Sequence, residues 1–451
     1  MNIINEAEIV TISVIGTQKI IPEKVYRLIN YVYSIRLDDS LLLYNCLTNE
    51  LILLDSTEEK VLCNINTENE IVKALIKKWF IVPQDFSESI FCNQINNIMN
   101  LAIQSNLKTK PLANYTIFTT TECNARCFYC YEAGAKKFSM SDKVANDVAD
   151  YIIKHAKNET IKINWFGGEP LYNFKVIDTI SSILRKSGVS YTSKMVSNGY
   201  LFDDNIIARA TKLWNLKKVQ ITLDGTEEIY NKCKAYITTD DISPFRKVID
   251  NIKKLVANDI QVTVRLNMDN HNYENLFKLV DYLAAEFIDK KNIGVYVKML
   301  YDEFSNMHCE EDRVSLYKKF MELNDYIYSK NIACTYGLKK FLKYQNCTAD
   351  ADNATTVLPD GRLGKCEHYI DGNLWGSIYS ENKDYEVLNR FKERIPHTKD
   401  CEDCCFLPNC IKLKECSNTR VNCGDDEIKL KLYDLNRRIS NTYCRWRNLH
   451  K

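Results

Sequence analysis

The sequence has little of what marks a membrane, secreted or nucleic-acid-binding protein. It contains no run of about 18 apolar residues, the length that a membrane-spanning helix needs. Its first residues carry Glu6 and Glu8 where a signal peptide has basic side chains. Lysine and arginine number 60 against 59 aspartates and glutamates, and a net charge of +1 favours neither nucleic acid nor an anionic membrane. We therefore predict a cytoplasmic protein without a membrane or nucleic-acid partner.

Cysteine, by contrast, is abundant. The 451 residues are enough for two or three domains, and 45% hydrophobic and 26% charged residues are typical of a compact globular protein. The chain holds 18 cysteines, yet a reducing cytosol does not maintain structural disulfides. Metal binding or redox chemistry is then the main reason for so many thiols.

Three segments differ in their hydrophobic pattern. Residues 1–107 mix short β-like runs with helical stretches and predict a small α+β module. Pro111 lies in a linker-like stretch over 108–113, and from 108 to 330 strand and helix patterns alternate. Over 331–451 the periodicity fades while cysteines become dense, which indicates a metal-stabilised tail.

The middle segment predicts six βα units. Strands are expected near 115–121, 161–167, 191–197, 217–223, 261–268 and 293–300. Helices are expected near 142–157, 171–186, 203–213, 243–257, 272–287 and 311–328. The fold class is therefore α/β, a partial (βα)6 barrel of the TIM type, with functional groups at the carboxyl ends of its strands.

The first cysteine array directly follows the first predicted strand. Cys123, Cys127 and Cys130 form a CxxxCxxC loop. Three thiolates hold three irons of a [4Fe-4S] cluster and leave the fourth iron open to a small molecule, unlike the four cysteines of a simple ferredoxin. Taken alone, the spacing also permits a structural zinc site or three unrelated buried thiols.

This array resembles the motif of the radical S-adenosylmethionine (SAM) superfamily, including the aromatic residue, Tyr129, before the last cysteine. The resemblance implies that the open iron chelates SAM. It further implies reductive cleavage of SAM to methionine and a 5'-deoxyadenosyl radical, which abstracts a substrate hydrogen while the protein orients the reactants.

A glycine-rich segment follows the second predicted strand and resembles the GGEP segment of the same family. Gly167 and Gly168 would let the backbone approach a ligand, and Glu169 offers a carboxylate to an ammonium group. The resemblance implies that this segment, which ends at Pro170, binds the amino group of SAM.

Two further strand ends are similar to SAM-contacting segments of the family. Ser197 and Asn198 end the third predicted strand, and Thr222 and Asp224 lie at the end of the fourth. The similarity implies that Thr222 bonds the ribose or the carboxylate of SAM, and that Arg246 pairs with the carboxylate. For Arg246 an exposed helix position is the alternative.

The second cysteine array lies in the tail and resembles the SPASM extension, which binds two auxiliary [4Fe-4S] clusters. It contains a C-x13-G-x4-C unit around Gly361, followed by a run of further cysteines. The resemblance assigns Cys347, Cys366 and Cys416 to the first auxiliary cluster, and Cys401, Cys404, Cys410 and Cys423 to the second. A pair of zinc ribbons is the alternative for such spacings.

Two departures leave parts of this assignment open. Five residues separate Cys410 from Cys416, where the family usually has three. The last ligand is Cys423 or Cys444, and we favour Cys423 because a helical pattern starts directly after it. The first auxiliary cluster takes Cys334 as its fourth ligand or keeps an open iron.

Glu367 directly follows Cys366. In sulfatase-maturing relatives an aspartate that matches this position is the proposed base that removes a proton after hydrogen abstraction. The resemblance therefore suggests Glu367 as a catalytic base, with a solvated loop glutamate as the alternative.

Relatives of the radical SAM/SPASM type mostly modify ribosomally made peptides. The resemblance implies a peptide maturase that forms thioether or carbon-carbon cross-links, with a leader-bearing precursor peptide and an electron donor such as ferredoxin or flavodoxin as partners. The N-terminal module looks like a leader-binding segment, or else serves dimerisation or stability. The alternatives are a sulfatase-maturing enzyme that makes formylglycine, and a non-catalytic zinc or electron-transfer protein.

Overall fold

The structure is a computed structural model with two compact units. It describes residues 1–6, 15–107, 111–237, 241–300, 310–334, 338, 347–395, 401–402, 404–410, 413–416 and 423–450. One unit comprises residues 1–109, 337–346 and 392–451, and the other comprises 110–336 and 347–391. The division expected from the sequence, at 107/108 and 330/331, stays a prediction.

The first unit is built on a four-stranded antiparallel sheet. Its strands and those of a separate two-stranded sheet are β1 (Asn2–Asn5), β2 (Tyr26–Leu28), β3 (Val32–Leu37), β4 (Ser40–Asn45), β5 (Glu50–Leu54) and β6 (Ile81–Pro83), in the orders β1-β5-β4-β3 and β2-β6. Its helices are Glu70–Lys77, Glu88–Leu107 and Asp425–Leu449. Buried Leu42, Leu51 and Ile439 share one apolar cluster, so the C-terminal helix belongs to this unit.

The second unit contains a nine-stranded sheet with a parallel centre. Its strands are β7 (Asn114–Thr120), β8 (Ile161–Gly167), β9 (Tyr191–Ser197), β10 (Leu216–Leu223), β11 (Gln261–Met268), β12 (Ile293–Met299), β13 (Ala354–Val357), β14 (Arg362–Gly364) and β15 (Gly376–Ser377). The order is β12-β11-β10-β9-β8-β7-β13-β14-β15, with β7 to β12 all parallel. The six βα units expected from the sequence are therefore confirmed.

Helices cover one face of this sheet because each strand alternates apolar and polar side chains. Ile161, Ile163 and Trp165 of β8 are buried in the main core, whereas Lys162 and Asn164 lie on the opposite, inner face. The helices of this unit are Asp142–His155, Phe174–Lys186, Asp204–Lys212, Glu227–Lys234, Pro244–Ala257, Tyr273–Glu286, Glu310–Ser329 and Tyr385–Arg390. Ser141 and Asp203 cap two of them by accepting backbone N–H bonds from Val144 and Ile206.

Two features of this unit that bear on the site were not expected from the sequence. The short helix Glu227–Lys234 follows β10, and β13 pairs in parallel with β7, Ala354 lying opposite Asn114. The sheet therefore continues past β7 into the cysteine-rich part of the chain. Among the described residues no helix has the length and apolar character needed to cross a membrane.

Candidate functional site

The carboxyl ends of four neighbouring strands bring the sequence motifs together. Strands β7, β8, β9 and β10 are adjacent and parallel, so the segments that follow them meet at one edge of the sheet. These segments are the cysteine loop, the Gly-Gly-Glu-Pro turn, the Ser-Asn-Gly turn and the Leu-Asp-Gly turn. This is the edge at which α/β proteins of this kind carry their chemistry.

The cysteine loop is compact and half-buried. The Cys130 N–H donates to the Cys127 carbonyl at 3.1 Å, which closes a turn between the two thiols. All three cysteines are partly exposed. Burial raises the pKa of the Cys123 thiol to about 12, and the charges of Glu169, Cys127 and Cys130 add to the rise. The three thiols therefore lie close enough to affect one another.

The residues of the loop fit an iron-sulfur cube, because Cys123, Cys127 and Cys130 supply three thiols from one short loop. In a cube each thiolate binds a different iron, so the sulfurs need not meet at one point. The side-chain amide nitrogen of Asn124, next to Cys123, is buried and has no hydrogen-bond acceptor among the described residues. A group that brings acceptor atoms to this loop would supply its partner.

Glu169 joins three of the four segments. Its fully buried carboxylate accepts bonds from the Ser197 hydroxyl at 2.9 and 3.1 Å, the Asn198 N–H at 2.8 Å and the Leu171 N–H at 3.1 Å. Burial raises the pKa of Glu169 to about 7, and these bonds oppose the rise. In the structure the carboxylate holds the turns after β8 and β9 together. Its contact with the ammonium group of SAM stays a prediction.

The two glycines of the Gly-Gly-Glu-Pro turn allow backbone to approach backbone. A Cβ on Gly168 would lie 2.4 Å from the Glu122 carbonyl oxygen, and one on Gly167 would lie 2.0 Å from that of Thr120. The Gly168 and Glu169 N–H groups donate to the Thr120 and Glu122 carbonyls at 3.1 and 2.9 Å. The glycines thus seat this turn directly on the cysteine loop, rather than only leaving room for a ligand.

A buried network ties the cysteine loop to the end of β10. The Tyr129 hydroxyl donates to both oxygens of Asp224 at 2.7 and 2.8 Å and accepts a bond from Lys234 Nζ at 2.8 Å. Lys234 Nζ also lies 3.1 Å from Asp224. Lys234 and Asp224 are 3% and 1% exposed. A charged pair at this depth persists only when its hydrogen bonds are satisfied, as they are here.

Lys234 is the site residue that sequence reasoning missed. Burial alone lowers the pKa of its amine, but the charges of Asp224, Tyr129 and Cys127 outweigh that effect and raise the pKa well above its usual value. Its backbone also takes part, because the Arg126 N–H donates to the Lys234 carbonyl at 2.8 Å. A lysine at the end of a short polar helix gives no periodic signal of burial, so only its contacts reveal it.

Two predicted SAM contacts lie further from this network. Thr222 is half-buried on the inner face of β10, at the same edge. Arg246 is 71% exposed on the helix Pro244–Ala257 and pairs with Glu227 at 3.1 Å. The exposed-helix alternative therefore describes Arg246 in this structure, whereas Thr222 and the buried Pro170 lie at the site edge.

Glu367 lies near the cysteine loop. The ring of its neighbour His368 lies 4.7 Å from that of Tyr131, which directly follows Cys130. The pKa of Tyr131 is raised well above its usual value by burial and by the charges of Glu132 and Glu367. The Glu367 side chain is half-buried, and its role as a catalytic base stays a prediction.

Several cysteines of the second, C-terminal cysteine array lie close together in one unit. The Cys404 N–H donates to the Cys401 carbonyl at 3.1 Å, and the Cys410 N–H to the Leu407 carbonyl at 3.2 Å, which gives a chain of tight turns. Burial raises the pKa of Cys404, as do the charges of Cys405, Cys410 and Cys401. Three of the four cysteines assigned to the second auxiliary cluster therefore lie near one another.

The remaining cysteines of the array are divided between the two units. Cys347 and Cys366 belong to the unit with the nine-stranded sheet, as does Cys334, whose N–H donates to the Val295 carbonyl at 3.0 Å. Cys416 and Cys423 belong to the other unit. Cys444 is exposed on the C-terminal helix. The ligand sets of the auxiliary clusters, and the choices among Cys334, Cys423 and Cys444, stay predictions.

Comparison with known proteins supports this description of the site. A sequence model of the radical SAM superfamily matches residues 117–300. A GTP 3',8-cyclase of Clostridium perfringens (strain 13 / Type A) is 27% identical over 293 residues, 62% of this chain and 88% of that protein.

Two solved structures share the fold at low sequence identity. Native anSMEcpe with bound AdoMet and Cp18Cys peptide has a TM-score of 0.56 and 16% identity, over 74% of this chain and 99% of that one. Streptococcus suis SuiB bound to precursor peptide SuiA has a TM-score of 0.52 and 14% identity, over 86% and 94%. The stretch that the radical SAM superfamily model matches contains the three cysteines and all four strand ends.

Proposed function

We propose that this chain is a peptide-modifying radical SAM enzyme that joins parts of a ribosomally made precursor peptide by a thioether or carbon-carbon bond. The observation that carries the proposal is the meeting of the three-cysteine loop with the turns after β8, β9 and β10, tied by Glu169 and by the Tyr129–Asp224–Lys234 network. Peptides bound in the two solved structures of this fold support the substrate class.

In this proposal Cys123, Cys127 and Cys130 hold a [4Fe-4S] cluster at the edge of the sheet. When bound, the cluster and SAM supply a one-electron reductive cleavage that generates a carbon radical for hydrogen abstraction. Glu169 fixes the turns around the loop through its bonds to Ser197 and Asn198, and the half-buried Thr222 at the same edge is available to orient SAM. Glu367 would accept a proton after abstraction.

The first test is cluster content. Protein purified without oxygen is expected to be brown, to contain iron and inorganic sulfide, and to cleave SAM under reducing conditions. Replacing Cys123, Cys127 and Cys130 by alanine should abolish the cleavage. The matched control is Cys63→Ala, an exposed cysteine of the other unit, which should leave it unchanged. A colourless protein that contains only zinc would overturn the proposal.

The second test concerns the auxiliary cysteines. Because Cys401 and Cys404 lie in the other unit, their joint replacement by alanine should leave part of the SAM cleavage intact but stop turnover of the peptide. Equal loss of both activities would contradict this division of labour.

The third test identifies the product. A short peptide encoded beside this protein is co-expressed with it and analysed by mass spectrometry. A cross-link removes hydrogen and keeps the cysteine sulfur, whereas formylglycine made from cysteine loses that sulfur. The second result would favour the sulfatase-maturing alternative.

A further inference from the structure

A cavity of about 250 Å³ lies at the amino-terminal halves of the central strands. It is lined by inner-face residues such as Thr116 of β7, Asn164 of β8 and Lys194 of β9. The cysteine loop follows the opposite, carboxyl ends of the same strands. The cavity is therefore a second feature of the inner face, separate from the site described above.

The charge of this inner face has one sign. Strands β7 to β12 contain five lysines and one arginine but no aspartate or glutamate. Four of the lysines, Lys162, Lys194, Lys217 and Lys218, line the cavity. Among the described residues none of the four forms an ion pair with a carboxylate.

Three lysines elsewhere in the same unit show the alternative, a lysine paired with a carboxylate. Lys234 pairs with Asp224, Lys253 with Glu286 and Lys254 with Asp204. Lys194 lies opposite Lys218 in the register of β9 and β10, and like charges in that arrangement repel. An anion bound between them would relieve the repulsion.

Polar atoms at the cavity also suggest what kind of anion binds. The Asn164 side-chain oxygen is buried and has no donor among the described residues. A peptide brings backbone N–H donors together with its side-chain carboxylates, whereas a phosphate group at neutral pH brings mainly acceptors. The volume is also below the roughly 300–1,000 Å³ of pockets that enclose a whole small-molecule ligand. Both facts favour one or two residues of a longer chain.

We propose that Lys162, Lys194 and Lys218 bind an acidic side chain of the peptide substrate at the amino end of the sheet, while the cysteine loop acts at the other end. This inference rests on the proposed function, because it takes the substrate to be a peptide. It adds the chemical class of the substrate to the proposed function, namely a peptide with Asp or Glu near the residue that is modified.

The strands set the spacing. Four to six strand residues separate the lysines from the carboxyl edge, for example Lys194 from Asn198 and Lys218 from Asp224. At about 3.3 Å per residue this is about 13–20 Å, so an extended peptide would place its acidic residue about four to six residues from the reacting one.

Binding of matched labelled peptides to the anaerobically purified holoenzyme tests the inference. One fluorescent peptide alternates Gly and Asp, and the other alternates Gly and Asn. The variant K162Q/K194Q/K218Q removes three cavity charges. The control K175Q/K186Q/K278Q removes three exposed helix charges of the same unit. Fluorescence anisotropy at several salt concentrations gives the dissociation constants.

The Asp peptide should bind about tenfold or more tightly than the Asn peptide at low salt, and the preference should weaken as salt rises. The cavity variant should lose the preference while the control keeps it. Equal binding of the two peptides, or equal loss in both variants, would overturn the inference. Binding of GTP at the lysines without binding of the Asp peptide would overturn it in favour of a phosphate ligand.

The outcome is separable from that of the proposed function. SAM cleavage is measured on the same preparations without peptide. If wild type cleaves SAM but shows no preference for the Asp peptide, only the inference fails. If it binds the Asp peptide through the lysines yet neither holds iron nor cleaves SAM, the proposed function fails.

Discussion

The charged side chains at the two ends of the parallel strands have opposite surroundings. At the carboxyl end Lys234 is paired with Asp224, and Glu169 is surrounded by donors of its own chain. At the amino end, Lys162, Lys194 and Lys218 have no carboxylate partner among the described residues. The difference teaches that charge at the carboxyl end holds loops in place, whereas charge at the amino end is available to a ligand.

Removal of the buried cation should have the largest effect. Lys234→Met leaves the Asp224 carboxylate buried beside Tyr129 without its counter-ion, which costs about 3–5 kcal/mol of stability. Urea unfolding of the purified protein measures the loss. The control is Lys232→Met, exposed on the same helix, which should change stability by less than about 0.5 kcal/mol. Equal stability of the two variants would show that Lys234 does not hold the loop.

Glu169 should impose a pH dependence on stability. Its pKa of about 7 in the folded protein exceeds the ordinary glutamate value of about 4.3. The folded state therefore binds the proton more tightly, and stability falls as pH rises from the ordinary value to about 7, by up to about 3 kcal/mol. Above that pH the effect is complete.

Glu169→Gln mimics the protonated carboxyl group, so its free energy of unfolding should lack the pH dependence that comes from the titration of Glu169. The stability of wild type relative to this variant should therefore decline as pH rises from about 4.3 to about 7. The exposed Glu159→Gln control should show no such trend. A relative gain with rising pH would mean that the four hydrogen bonds outweigh the cost of burial.

Gly168→Ala should act through packing. The added Cβ would meet the Glu122 carbonyl oxygen at 2.4 Å, so the turn and the cysteine loop must separate, at a cost of about 1–3 kcal/mol. Thermal unfolding and the iron content after reconstitution should both fall. Gly372→Ala, where a Cβ meets nothing within 4 Å, is the matched control. Unchanged iron content in Gly168→Ala would show that cluster binding does not depend on the packing of this turn against the cysteine loop.

The smallest effect is expected at the amino end. K162Q/K194Q/K218Q removes no ion pair, so thermal stability should stay within about 0.5 kcal/mol of wild type for each position, or rise as repulsion is relieved. A loss comparable to that of Lys234→Met would mean that these lysines are structural, and the comparison between the two ends would no longer hold.

Regular elements were largely predictable from the sequence. The predicted strands near 161–167, 191–197 and 261–268 have the bounds observed for β8, β9 and β11. Such elements follow from local alternation and periodicity, which residues close in sequence determine. The parallel pairing of β13 with β7 was missed, because it joins residues that are far apart in sequence, Ala354 and Asn114.

The candidate site was predictable to a different degree. The sequence by itself determined which segments carry the chemistry, because the CxxxCxxC spacing and the turns at the strand ends are local and lie where parallel strands place them. Only the tertiary structure decided what each side chain does. It turned Glu169 inward, left Arg246 exposed beside Glu227, and buried Lys234 between Tyr129 and Asp224. The roles of Glu169 and Lys234 depend on contacts between loops about 30 to 105 residues apart. A buried charge is stable only with such partners, and the partners become neighbours only when the strands have formed the sheet.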